Sequence, residues 1–399
     1  MNTISPAAAW LVVFAMLAVQ ALTSQASLTF ATIAPRLADA LGRPGEEIGY
    51  LISVTYAGAM MSSVYASGPL ARLGPVRFSQ WSVLFAAAGA LLAMAGQIWT
   101  VVLGSFVIGV GYGMTNPAAA LLLTRVALER HRNLMFSVKQ TGVPVGGILA
   151  ALIAPGLTEL WGWQAALAAV VAMGLLLVAL LQPLSRTWDR ERRPDAPLFG
   201  RRLGGIATVA RSSPLRWLAL ATFCFAGIQL CLLSFTTTLL AAEGGMSLPA
   251  AAGLFITVHV AGTAGRIFWG VVADRWFGGL TVLIAVGVLM AVSAVLLAFY
   301  DAAWPAVLTG LVLGLFGMTA VGWNGVFNAE VARRAPDGRV ADATGGILFF
   351  AFSGVLLGPA GFALLYGQIG SYALTFGTLS VVGAVGALAV LRLRARPAA

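Results

Sequence analysis

The chain has 399 residues, 59% of them hydrophobic and 10% charged, with a formal net charge of +10. A soluble domain carries about 25% charged residues, so this composition excludes a soluble globular protein, and long unbroken apolar runs exclude a membrane barrel built from short alternating strands. The positive charge reads as topology and not as a nucleic-acid surface: Arg36 and Arg43 fall on one side of the membrane and Arg266 inside a span, while the remaining arginines gather on the other side, as cytoplasmic loops do.

The pattern predicts an all-α polytopic membrane protein with twelve transmembrane helices. The first span covers about 8–34 and leads to a short outer loop with Arg36, Asp39, Arg43, Glu46 and Glu47. It lacks the basic flank and cleavage site of a signal peptide and reads as a retained span. The second covers about 46–67 and ends in a tight inner loop, Gly68 to Arg77. Spans three to six cover about 79–97, 100–122, 133–157 and 162–183, with a basic inner turn from Arg125 to Arg132 after the fourth. Residues 184–214, rich in Arg, Pro and Gly, read as a cytoplasmic linker with room for a short surface helix. Six more spans follow at about 215–240, 249–272, 279–299, 304–328, 341–366 and 370–391, and the tail carries Arg392, Arg394 and Arg396. The domains are therefore a six-helix bundle (1–183), the linker (184–214), and a second six-helix bundle with a short tail (215–399). Both termini are cytoplasmic. The basic asymmetry suits a bacterial inner membrane.

Cys224 and Cys231 lie about 10 Å apart along one helix, too far for a disulfide, and read as packing residues.

The two halves repeat each other. Gly68, Arg72, Gly74 and Arg77, with Ala71, resemble the loop signature G-x-x-x-D-R-x-G-x-x-R of the major facilitator superfamily, with Ala71 at the aspartate position. Gly270, Asp274 and Arg275 resemble a second copy. Asn116-Pro117 and Gly142-Val-Pro144-Val-Gly146-Gly147 are similar to the superfamily too, and Gly345-Gly346 repeats the latter pair. The resemblance implies two pseudo-symmetric six-helix bundles and transport by alternating access. It implies that the loop residues tie helix ends together and gate the inner face. Ser105 stands where many proton-coupled antiporters of this superfamily carry an arginine.

The acidic residues sort to loops and span ends; none lies at a span centre. An exporter of cations usually needs a carboxylate at membrane depth, so this absence weighs against one. The ionisable residues within spans are Lys139, His259 and Arg266. Lys139 lies about 9 Å and Arg266 about 7 Å to the cytoplasmic side of their span centres. Such cations suit a substrate that brings the negative charge, and arginine's planar fork binds a carboxylate in two places. Gly265-Arg266 followed by Gly270 and Asp274-Arg275 resembles span eight of oxalate/formate antiporters and monocarboxylate transporters. That resemblance implies that Arg266 holds the carboxylate. The oxalate/formate type also has a lysine on span eleven, which is missing here, and Lys139 is the candidate second cation. His259 is on nearly the same helix face as Arg266 and suits a carried proton. Gln20 and Ser24 (with Ser27) form a polar stripe on span one. Tyr56, Gln229, Trp323, Asn324 and Asn328 complete a candidate cavity, with Asn324 and Asn328 one helical turn apart.

No P-loop, metal-ligating cluster or catalytic triad is present in the sequence, so the chain reads as neither an enzyme nor a cofactor protein. The expected partners are a small anionic substrate, a coupling proton or counter-anion, and the bilayer, with no nucleic acid and a monomeric chain. Proton symport, anion exchange and uniport stay open. Two other readings stand beside this one, a proton-coupled drug or metabolite exporter and a membrane receptor without transport.

Overall fold

Helices account for the regular structure among the described residues of the computed structural model, which are 5–43, 45–197 and 204–395. The tail residue Arg396, the linker residues 198–203 and the side chains of Glu46 and Glu47 lie outside them. Among the described residues, eleven helical stretches are long and apolar enough to cross a membrane, and Tyr50–Val64 is a shorter apolar helix. Helices are required because a spanning backbone must bond to itself.

The first half contains α1 (Pro6–Thr32), α2 (Ala34–Leu41), α3 (Gly45–Val64), α4 (Ser67–Leu73), α5 (Pro75–Ala93), α6 (Ile98–Val126), α7 (Arg132–Gln140), α8 (Gly142–Trp161), α9 (Trp163–Trp188) and α10 (Gly204–Arg211). The second contains α11 (Ser213–Ala242), α12 (Leu248–Val272), α13 (Gly279–Ala298), α14 (Ala306–Ala320), α15 (Asn324–Arg334), α16 (Val340–Ile369) and α17 (Tyr372–Arg394). Local chemistry sets many of the starts. Ser5, Ser212 and Ser371 accept the backbone N–H of Ala8, Leu215 and Leu374, and proline opens α1, α5 and α11.

Four details correct the sequence reading. The outer loop after span one contains the helix α2, with Pro35 in its first turn and Gly42 closing it at φ 61°. The inner loop from Gly68 is helical as far as Leu73. Span six continues as helix through Trp188, into the segment assigned to the linker. Span ten is broken between Ala320 and Asn324, so Asn324 opens a new helix.

The chain divides into two compact units that are discontinuous in sequence. The first holds Met1–Leu128, Val138–Thr208 and Ala335–Phe349; the second holds Glu129–Ser137, Val209–Arg334 and Phe350–Ala399. In the first, α6 packs on both α3 and α5, and α1 packs on α8. Small residues permit this approach. A methyl on Gly109 or Gly113 would strike the carbonyls of Thr55 or Ala59 on α3. Phe30, Ile33, Leu37, Val101, Ile108 and Leu167 are buried in one apolar cluster of this unit. In the second unit, α13 and α11 pack on α17, and α12 packs on α14.

Candidate functional site

Lys139 is 2% exposed and sits at the end of α7. Its ammonium donates to Gln20 Oε1 at 2.6 Å, Asn116 Oδ1 at 2.5 Å and Gln140 Oε1 at 3.3 Å. An ammonium has three N–H donors and no acceptor, so three amide oxygens match its donor count. The hydroxyl of Thr115 lies 3.1 Å from the same Gln20 oxygen. The sequence folds this way locally because Gly142 brings α8 onto α1, where a methyl would lie 2.7 Å from Leu17 O and 2.8 Å from Gln20 Cβ. Pro144 has no N–H for the carbonyl of Gln140, and the helix interrupts at Thr141, next to the lysine. Ser24, one turn beyond Gln20, is 2% exposed and lies against Gly146.

Arg266 is also 2% exposed, on α12 in the second unit. Beside it, the break in span ten is held by indoles. Trp269 Nε1 donates to Met318 O at 2.9 Å, and Trp323 Nε1 lies 3.1 Å from Ala320 O. These are carbonyls that a continuous helix would have used itself. Gln229 Oε1 accepts from Trp323 Nε1 at 3.2 Å and from Asn324 Nδ2 at 3.3 Å. Phe225 and Phe327 flank the Trp323 ring at 5.6 and 5.1 Å between centroids. A discontinuous membrane helix with amides and aromatic rings at its break can present polar groups at membrane depth.

The Major Facilitator Superfamily model matches residues 10–359. The chain belongs to that superfamily. The 3-(3-hydroxy-phenyl)propionate transporter of Escherichia coli (strain K12) is 27% identical over 384 residues, 91% of this chain and 90% of that one. A hexose carrier of Ricinus communis is 30% identical over 169 residues, but the match spans only 32% of the carrier's length. Among solved structures, the Escherichia coli fucose:proton symporter has TM-score 0.75 and 18% identity, covering 96% of this chain and 98% of that one. The human organic anion transporter MFSD10 has TM-score 0.76 and 16% identity, covering 97% and 100%. At these identities the structural likeness speaks for the fold. The chain is a multi-pass membrane protein, a secondary transporter and not an enzyme.

The superfamily loop motif takes different forms in the two halves. Counted back from Ala71, the signature's first glycine position falls on Ser67, and Gly68 stands one residue later. Arg72 is exposed, and Gly74 turns the chain at φ 86°. Asp189 fills the carboxylate role at the start of α5, its Oδ1 accepting Val76 N at 2.8 Å and its Oδ2 accepting Arg77 N at 3.0 Å. In the second copy, Asp274 accepts Asn133 N at 3.0 Å, Asn133 Nδ2 at 2.7 Å and Leu134 N at 2.7 Å, capping the start of α7. Gly270 lies against Ser137 of the same helix. Exposed Arg275 stacks 6.0 Å from the Trp276 ring centroid.

The remaining candidates are placed as follows. His259 is exposed, with its ring 4.7 Å from that of Phe255 between centroids, while Arg266 seven residues on is buried. Tyr56 is half-buried with its ring edge-on to Tyr112 at 6.3 Å. Asn328 is half-buried, one turn beyond Asn324. Sequence reasoning overlooked Thr115 and Gln140 as partners of the lysine site and used Asn116 only as a family mark. The signal was present, since Thr115-Asn116 is a polar pair in an apolar span and Gln140 adjoins the one lysine. It also overlooked Glu243, whose carboxylate accepts the N–H of Tyr372 and, at 3.0 Å, of Ala373, capping α17.

Proposed function

We propose that this transporter carries a small organic anion, a carboxylate, by alternating access. The observation that carries the reading is the pair of buried span cations, Lys139 and Arg266, each 2% exposed. A charged side chain at membrane depth is costly and marks a substrate path. Arg266 holds the carboxylate, and Lys139 contributes a second positive charge on the transport path. The match along 91% of the chain to a transporter named for a phenylpropionate, itself a carboxylate, supports this. The two six-helix bundles, joined by the 184–214 linker, move as the halves of the cycle. The loop residues Gly68, Arg72, Gly74, Arg77, Gly270, Asp274 and Arg275 govern the inner gate. The protein acts as a monomer in a bacterial inner membrane with both termini cytoplasmic, and His259 carries a coupling proton.

The test is uptake of labelled 3-phenylpropionate into proteoliposomes. Saturable uptake, inhibited by other carboxylates and abolished by Arg266→Ala, is the expected result. Uptake that is unchanged in Arg266→Ala sinks the site. A second reading, a neutral polyhydroxylated solute, is favoured by the Gln229–Trp323–Asn324 set, whose amides and indole suit hydroxyl groups. Saturable uptake of a hexose with none of a carboxylate would establish it instead.

A further inference from the structure

We infer that Gln20, turned by Lys139, presents its amide N–H groups to the substrate carboxylate, and that Lys139 positions this donor. This inference rests on the anion reading above.

Lys139 can only donate, so the oxygen of each amide it meets must face it. The oxygen and nitrogen of an amide look alike to shape alone, but the charge of the lysine decides their order. Gln20 Oε1 is 2.6 Å from Lys139 Nζ and is also within reach of the Thr115 hydroxyl. Its Nε2 is therefore turned away from both. Gln20 is wholly buried, and Nε2 has no hydrogen-bond partner among the described residues. A buried amide donor without an acceptor is costly, and its fixed orientation states what it lacks, an acceptor. One turn along the same face of α1, Ser24 Oγ is likewise buried without a partner. The oxygen of half-buried Asn116 also faces the lysine, which turns its N–H groups away from the ammonium.

The arrangement converts one buried cation into a set of oriented amide donors. A carboxylate accepts such N–H bonds and gains more from them than a neutral acceptor does, because charge-assisted bonds are roughly twice as strong. The lysine's field polarises the amides in the same sense. Gln20→Glu separates this role from simple packing. The glutamate keeps an oxygen toward Lys139 and replaces the outward N–H groups with an acceptor that repels an anion.

The experiment measures binding of 3-phenylpropionate and of its neutral analogue 3-phenylpropanamide to the purified full chain in nanodiscs. Wild type is expected to prefer the carboxylate. Gln20→Glu is expected to keep or raise the thermal midpoint without ligand, to lose carboxylate affinity at least about tenfold, and to reverse the preference toward the amide. A merely structural defect would weaken both ligands by the same factor and would overturn the inference. Gln20→Met, which removes the donor without adding charge, is expected to lose carboxylate affinity as well; retention within about threefold overturns the inference even if Gln20→Glu fails to fold. Carboxylate binding by wild type with an unchanged preference in Gln20→Glu sinks the role of Gln20 and leaves the anion reading standing. No binding of 3-phenylpropionate, benzoate or butyrate by wild type overturns the anion reading and this inference with it.

Discussion

The loop after α3 and the loop after α12 reach the same backbone shape by different routes. From Ala71 the chain takes three residues to Gly74, through the last turn of α4. From Asp274 it takes four residues to Gly278, through a π-helical turn over Ala273–Phe277. A π turn is how a helix absorbs one extra residue. Both routes end on a glycine with almost the same dihedrals, φ 86° and ψ 159° at Gly74, φ 74° and ψ 158° at Gly278. Each glycine then opens the next span, α5 or α13. The carboxylates are disposed differently. Asp274 lies within its loop and caps α7, whereas Ala71 has no carboxylate and Asp189, from beyond α9, caps α5. A helix start needs an acceptor for its free N–H groups, and tertiary packing can supply it from anywhere in the chain.

The largest expected effect is at Gly74. Its Cβ would lie 2.5 Å from Asp189 Cγ, and its backbone conformation is one that only glycine adopts easily. Gly74→Ala should destabilise by more than about 3 kcal/mol, read as the loss of a folded peak or a large fall in thermal midpoint. Asp274→Ala strips three bonds from the start of α7 and should cost about 2 kcal/mol. Asp274→Asn, which keeps one acceptor oxygen, should recover part of the midpoint; full stability in Asp274→Ala would show that the cap is dispensable. Gly278→Ala meets no atom within 4 Å, so it should cost only the backbone term, about 1–2 kcal/mol. Equal losses at Gly74 and Gly278 would erase the distinction between the loops.

A smaller effect concerns pH. Burial raises the Asp189 carboxyl above its ordinary range, and the N–H groups of Val76 and Arg77 with the charges of Arg77 and Arg192 pull it partly back. A raised carboxyl binds its proton more tightly in the folded chain. Its contribution to stability is therefore full below the unfolded-state value and is lost as pH rises through the folded-state value. Unfolding midpoints measured across that acidic window should fall with pH more steeply in wild type than in Asp189→Asn. The smallest change is expected from Ala71→Asp. Ala71 and Arg339 line one cavity of about 910 Å³ in the first unit, together with Arg125, Arg192 and Arg193. A carboxylate restored there should add less than about 1 kcal/mol, and a clear loss of stability would show that the site has no use for negative charge.

The spans were legible because their apolar runs are long and their punctuation is explicit. The acidic residues were placed in loops and near span ends, and the family resemblance gave Asp274 the work of tying helix ends together, but the work of Asp189, Glu243 and Glu330 was not legible. Asp189, Asp274 and Glu243 each cap a helix distant in sequence, and Glu330, 1% exposed, sits between Arg333 and Arg334 at the end of α15. Local rules for capping look three residues ahead and miss an acceptor that arrives from more than a hundred residues away. The break in span ten was missed for a related reason. Gly322 alone is tolerated in a helix, and only the Trp269 and Trp323 indoles, which take the freed carbonyls, make the interruption stable.

Composition and charge by themselves determined that this chain lives in a bilayer, and its apolar runs determined how many times it crosses. They did so because the cost of exposing backbone to lipid leaves helices as the one solution for such segments. Sequence also singled out Lys139 and Arg266, since a cation in an apolar run is conspicuous wherever the chain folds. Only the tertiary structure decided what surrounds the lysine. The amide oxygens of Gln20, Asn116 and Gln140 converge on it from α1, α6 and α7 itself. The direction in which an amide points is set by the charge beside it, and no spacing along the chain records that.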